Sequence, residues 1–171
     1  SGSATVNIPS AVYGQSAGDT IAISVINLDG TPSSNSQTSV IKSLPTGGTI
    51  TTVGNYRVHT FTSSGTFNSG AKTAIDVLVV SGGGAGSTGN KSNTSSADAG
   101  AGGGGGGMIV ESNKSVAAAT NFSIVVGAGG SASSNQNTQG ANGTNSSGFG
   151  LTAIGGGGGG LPNANGSVGG S

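Results

Sequence analysis

The sequence predicts an all-β chain, with short antiparallel strands in its N-terminal half and packed polyglycine-II-like segments in a glycine-rich C-terminal half. Three observations carry that expectation. No apolar i, i+3, i+4, i+7 pattern extends over three turns, and the best helix-forming stretch, Val116–Ala119, is too short to nucleate one. Short β-branched runs recur between turn-forming residues. Finally, 9 of the 37 glycines lie in residues 1–80 and the other 28 in residues 81–171, so the composition changes abruptly near Val80. The expected organisation is a strand-rich domain over residues 1–80 followed by a glycine-rich domain over residues 81–171, the two continuous with each other.

Taken in order, Thr20–Ile26 is the first strand, rich in residues that favour a pleated, half-buried surface. Leu28-Asp29-Gly30-Thr31-Pro32 ends it with turn chemistry. Gly47–Gly54 is a second strand bounded by glycine. Tyr56–Thr62 is a third, placing Tyr56, Val58 and Thr60 on one face and Arg57, His59 and Phe61 on the other. Gly65–Phe67 and Ile75–Val80 complete this half.

The second half repeats a short apolar strand that runs into glycine. Val77–Val80 precedes Gly82–Gly84, Phe122–Val126 precedes Gly127–Gly130, and Leu151–Ile154 precedes Gly155–Gly160. The run Gly102–Gly107 leads instead into Met108-Ile109-Val110. Polar stretches rich in Ser, Asn, Thr and Gln, Ser87–Ala99 and Ser131–Gly148, lie between. A flexible linker is the competing reading of such runs. Linkers have no need to recur against strands, however, and ordering glycine is entropically expensive unless something offsets it. Packed polyglycine-II segments supply that offset. They have three residues per turn and rise about 3.1 Å per residue, so six residues span roughly 19 Å. They have no internal hydrogen bonds, so each amide must be answered by a neighbouring segment or by water.

Composition excludes several functions. Charged residues make up 6% of the chain, against about 25% in a typical soluble domain. Five Lys/Arg balance five Asp/Glu, which equips the chain poorly for gripping phosphates. Nucleic acid is therefore not an expected partner. No apolar run approaches the roughly 20 residues that cross a bilayer, so no membrane insertion is expected. Without cysteine there are neither disulfides nor thiolate metal sites. Scarce proline and irregular glycine spacing exclude collagen. The chain begins at Ser1 and shows no signal peptide, as expected for a processed form or a piece of something longer.

The chemistry-bearing motifs are sparse. Gly84-x-Gly86-x-x-Gly89 follows a strand as in a dinucleotide site, but no apolar helix pattern succeeds it to receive a pyrophosphate. A chain more than one-fifth glycine yields that pattern by chance. No P-loop sequence occurs. His59 is the single imidazole and sits mid-strand, which reads as packing rather than catalysis. The acids Asp19, Asp29, Asp76, Asp98 and Glu111 are scattered; only Asp76 and Glu111 have a prospect of meeting across a sheet. Arg57 near His59 reads as structural, and the Asn-x-Ser/Thr sequons, such as Asn93-Thr94-Ser95, come with the composition. No catalytic residue, metal ligand or cofactor is expected.

The segment Tyr56–Phe67, then Val77–Val80 with its glycines, Gly102–Gly107, Ile124–Gly130, Asn145–Gly150 and Gly155–Gly160 occur in a familiar order. Together, over about residues 55–160, they resemble the glycine-rich domain of bacteriophage tail-fibre and virion proteins. More distantly the chain resembles the polyglycine-II tip adhesins of T-even-like phages, in which the loops joining the helices contact the host receptor. The chain departs from those adhesins in having fewer, shorter glycine runs and a strand-rich first half. The resemblance implies a non-enzymatic virion protein, a tail-fibre or adhesin component in host attachment. Its expected partners are copies of itself, as a homo-oligomer with a trimer favoured, other virion proteins, and a host surface glycan or outer-membrane protein. The analogous receptor-contact residues are Ser87, Thr88, Asn90, Lys91, Asn93, Asn135, Gln136, Asn137, Gln139 and Asn142. Residues 1–50 lie outside the likeness and are assigned to attachment or oligomerisation. Two other readings are an ice-binding protein, though Thr49, Thr51 and Thr52 form no long register, and a fibre enzyme that degrades polysaccharide, which needs two carboxylates about 5–9.5 Å apart in a groove.

Overall fold

The computed structural model describes residues 43–89, 99–161 and 164–170, together with the backbone of residues 20–23 and 37–40. The chain divides into two units, Ser1–Leu44 and Pro45–Ser171. In the first, β1 (Thr20–Ile23) pairs antiparallel with β2 (Gln37–Val40), Thr20 opposite Val40. The rest of the expected Thr20–Ile26 strand lies outside the described residues.

The second unit is all-β, and among the described residues there is no helix. β3 (Thr49–Val53) and β4 (Tyr56–Thr60) form a hairpin whose closing pair is Val53 with Tyr56. Gly54 takes φ +57° at the first position of the two-residue loop, where a tight II′-type hairpin demands a positive φ. β5 (Gly65–Asn68) pairs antiparallel with β8 (Asn121–Ile124), and the short β9 (Ser146–Gly148) with β10 (Leu151–Ala153). The longest ladder joins β6 (Ala74–Val80) to β7 (Met108–Ser115), with an irregularity between Ile75 and Val77. There the Asp76 carboxylate accepts the Asn113 N–H at 2.8 Å, and Asn113 adopts φ +55°.

Strand alternation then sorts the side chains of β6. Val77 and Val79 turn inward and pack with Ala153, joined by Ile75, Ile109, Phe149 and Leu151. The opposite face of the same ladder is apolar and exposed among the described residues: Leu78 and Val110, directly paired, are 63% and 67% exposed. A second cluster is aromatic. Phe67 meets His59 edge-on at 5.1 Å and Phe149 at 5.4 Å, and Phe149 contacts Phe122 at 5.1 Å. Ser69, fully buried, donates its hydroxyl to the Ala117 carbonyl and accepts from the Thr120 N–H, tying the end of β5 to the turn before β8.

Candidate functional site

Glycine begins where the strands stop. β6 runs into residues 81–88, β7 leaves residues 101–107, β8 runs into 125–130, β9 follows 138–145, and β10 runs into 154–160. These segments, with residues 166–170, form no β-ladder of their own. They are joined by backbone hydrogen bonds that recur every third residue. Ser81, Gly84 and Ser87 donate to Gly107, Gly104 and Ala101 at 3.0, 2.8 and 2.8 Å. On another side Gly82, Ala85 and Thr88 donate to Thr144, Ala141 and Thr138. Gly156 and Gly159 donate to Gly82 and Ala85, while Gly104 and Gly107 donate to Gly157 and Ile154. Residues 81–88 thus have neighbours on several sides, where a β-strand would have two.

The absence of side chains is what permits this approach. A Cβ on Gly84 would lie 2.1 Å from the Gly157 oxygen, one on Gly156 2.3 Å from the Gly104 oxygen, and one on Gly159 2.3 Å from the Ala101 oxygen. Side chains answer the amides that the backbone leaves over. Asn142 and Asn145, three residues apart, accept from the Gly158 and Gly155 N–H groups, each at 2.9 Å. The buried Ser81 hydroxyl lies between the Gly107 and Ile154 carbonyls, within hydrogen-bond reach of both, and its single proton is shared between them.

The hydrogen bonding also orders the bundle end to end. At the end toward the strands, Ser81, Gly107 and Ile154 meet. At the other end the Ser87 hydroxyl donates to Gly160 at 2.6 Å and accepts from the Ala101 N–H, and Thr88 bridges Thr138. The chain leaves the bundle at or toward that far end three times, after Gly89, Gly130 and Leu161; residues 90–98 and 162–163 of these connections lie outside the described residues. The Gln139 side-chain amide donates to Ser167 Oγ at 3.2 Å and to the Asn165 carbonyl at 3.4 Å, tying the end of the third connection to the segment that begins at Thr138.

The ten candidate contact residues divide accordingly. Ser87 and Thr88 are half-buried, with hydroxyls bound to backbone; Thr88 Oγ1 donates to the Asn135 carbonyl. Asn142 and Gln139 are exposed, yet both hold the bundle together through the bonds above. Asn135, Gln136 and Asn137 form the exposed turn at the far end, Asn137 with φ +50° and its N–H directed to Gly89. Asn90, Lys91 and Asn93 lie outside the described residues. The stretch Ser131–Gly148 is not one loop: from Thr138 onward it packs as a bundle segment and then becomes β9. Gly140 and Gly143, spaced by three, are the sequence signal for this; a Cβ on either would fall 2.0–2.1 Å from a backbone oxygen of residues 82–85. The 161–165 connection was not among the expected loops.

The described chemistry-bearing residues lie away from this end, while Asp19, Asp29 and Asp98 lie outside the described residues. His59 Nδ1–H donates to the Gly47 carbonyl at 2.7 Å, and its Nε2 is buried without a partner among the described residues. Asp76 is engaged by Asn113, and Glu111 by Lys114 at 3.2 Å. Glu111 stands opposite Val77, so Asp76, one residue away in β6, is turned to the other face of the ladder. Among the described residues no three His, Cys, Asp or Glu side chains gather as metal ligands. No helix among them is long and apolar enough to cross a membrane.

A strand base carrying backbone-bonded glycine segments defines an all-β glycine-rich domain. The chain belongs to the glycine-rich domain family, whose model matches residues 60–171. No curated protein and no solved structure matches it.

Proposed function

We propose that this chain is a non-enzymatic structural component of a bacteriophage particle, a tail-fibre or adhesin subunit that presents polar loops to the host surface. The observation that carries the reading is the gathering of three connections at the end of the bundle remote from the strands. A receptor-binding tip needs exposed, adaptable polar groups on a rigid support. The turn Asn135–Asn137 offers such groups, and the bonded glycine segments beneath it supply the support.

The support itself we read as packed polyglycine II. The three-residue recurrence of the hydrogen bonds and the approaches that exclude a Cβ favour this. Strand-to-bundle connections at one end leave the other free, which suits attachment through the strands to other virion proteins. The chemistry at the tip suits a glycan or the polar loops of an outer-membrane protein, both recognised by hydrogen bonds with amides and hydroxyls. In this reading the protein works outside the cell, within the virion.

The test is adsorption of whole particles. Particles carrying Asn135→Ala, Gln136→Ala and Asn137→Ala together with residues 90–98 replaced by a Gly/Ser linker should lose host adsorption while the purified variant keeps its thermal transition. Unchanged adsorption would overturn the attachment role.

A further inference from the structure

The sequence contains two Asn-Gly steps, Asn142-Gly143 and Asn165-Gly166, and the fold treats them differently. An asparagine side chain lies within reach of the neighbouring backbone, and a following glycine, lacking a Cβ, leaves its own nitrogen unshielded. Whether the two groups meet depends on what holds them. The first step is held on both sides: Asn142 Oδ1 accepts the Gly158 N–H at 2.9 Å, and the Gly143 N–H donates to the Gly156 carbonyl at 2.8 Å. Gly143 is also wedged against backbone, since a Cβ on it would lie 2.1 Å from the Gly82 oxygen. Asn165 and Gly166, by contrast, are exposed, on the connection that follows Leu161. Among the described residues neither the Asn165 side-chain amide nor the Gly166 N–H has a hydrogen-bond partner. Of this step only the Asn165 carbonyl is engaged, accepting from Gln139 at 3.4 Å.

We propose that Asn165 is a site of spontaneous covalent modification, a deamidation that the folded bundle permits there and suppresses at Asn142. The Gly166 nitrogen attacks Asn165 Cγ. A new C–N bond closes a cyclic imide, the bond from Cγ to the side-chain nitrogen breaks, and that nitrogen leaves as ammonia with the Gly166 amide proton. One water then opens the imide at either carbonyl, leaving aspartate or, with the chain rerouted through the side chain, isoaspartate. Water is the sole co-reactant, and nothing is oxidised or reduced. At Asn142 the same attack must first break two hydrogen bonds and draw Gly143 away from Gly82, so it waits for local opening. The consequences at Asn165 are local. The segments it neighbours, residues 138–140 and 158–160, carry no charge, so either product places a carboxylate where there was none. Isoaspartate also lengthens the backbone just before Ser167 and Gly170, whose N–H groups donate to Gly158 and Gly155 at 2.9 Å, and so loosens that segment. None of this depends on the far end binding a receptor.

The test is timed incubation of the purified chain at mildly alkaline pH, folded and in guanidinium chloride, with both steps followed by peptide mapping and mass. In the folded chain Asn165 should convert at least about tenfold faster than Asn142, because local opening limits the latter. In denaturant the two rates should converge. Asn165→Ser changes a side chain outside the bundle's hydrogen bonds, so it should keep the thermal transition. It should also remove the acidic species that ion exchange separates from aged wild type. Equal rates in the folded chain, an Asn165 that stays unconverted while the denatured chain converts, or an acidic species undiminished in Asn165→Ser overturns the proposal. Each of these leaves the receptor-tip reading standing, since that fails only on the adsorption experiment.

Discussion

Replacing Gly84 with alanine should destabilise this domain far more than a single methyl group usually does. The added Cβ would lie 2.1 Å from the Gly157 oxygen, 2.5 Å from its carbonyl carbon and 2.9 Å from the Gly156 oxygen. Restoring ordinary contact takes a relative shift of more than about 1 Å, and both partners are backbone, so no side chain can swing aside. Three hydrogen bonds of 2.8 Å cross this junction, Gly84 to Gly104, Gly104 to Gly157 and Gly156 to Gly82. At about 0.5–1.5 kcal/mol net for each, their loss amounts to roughly 1.5–4.5 kcal/mol. Alanine also stiffens the unfolded chain, which returns about 0.4–1 kcal/mol. The expected net destabilisation is about 0.5–4 kcal/mol, read as a lower urea midpoint at unchanged slope. Gly105→Ala provides the matched control. Its Cβ meets nothing, so in dilute protein it should be neutral or more stable by about 0.4–1 kcal/mol. If Gly84→Ala and Gly105→Ala unfold at the same midpoint, the close packing of the glycine segments is refuted.

Further outcomes follow from single contacts. Phe67→Ala removes the ring between His59 and Phe149 and should cost about 3–5 kcal/mol in the same denaturation assay. Ser81→Ala deprives the Gly107 and Ile154 carbonyls of their hydroxyl donor and should cost about 1–2 kcal/mol, whereas Ser81→Thr keeps the donor. Asn142→Ala should accelerate amide exchange at Gly158 selectively, and Asn145→Ala at Gly155, with the neighbouring Gly156 and Gly159 amides changed less.

How much of this was legible in the sequence depends on what held each element. β4 and β6 were readable because their side chains decide their faces: of the expected face Arg57, His59 and Phe61, the last two turn inward and Arg57 stays exposed at the hairpin end, and Val77 and Val79 alternate with Leu78 and Val80. β9, Ser146–Gly148, carried no such signal. It is a strand because β10 pairs with it and Val125 bridges Ser147, contacts distant in sequence and made by backbone. The same cause hid the segment beginning at Thr138. Its Asn, Thr and Gln residues resemble a solvated loop, while its packing depends on Gly140 and Gly143 and on Asn142 answering a glycine amide. The candidate site was legible only in outline. The exposed turn Asn135–Asn137 lay within an expected loop, but composition does not distinguish an Asn that faces solvent from one that holds a glycine amide. Hydroxyl and amide side chains bind backbone as readily as they bind a ligand, and Ser87 and Thr88 do so here.

Site-resolved amide exchange of the glycines in dilute protein bears most directly on whether hydrogen bonds between the glycine segments hold the bundle together. Gly104, Gly107, Gly156 and Gly159 donate to neighbouring segments and should exchange slowly, while Gly102 and Gly105, in the same run as Gly104, should exchange fast. Uniformly fast exchange across both runs would contradict the bundle, because it would leave the glycines solvated by water rather than by one another.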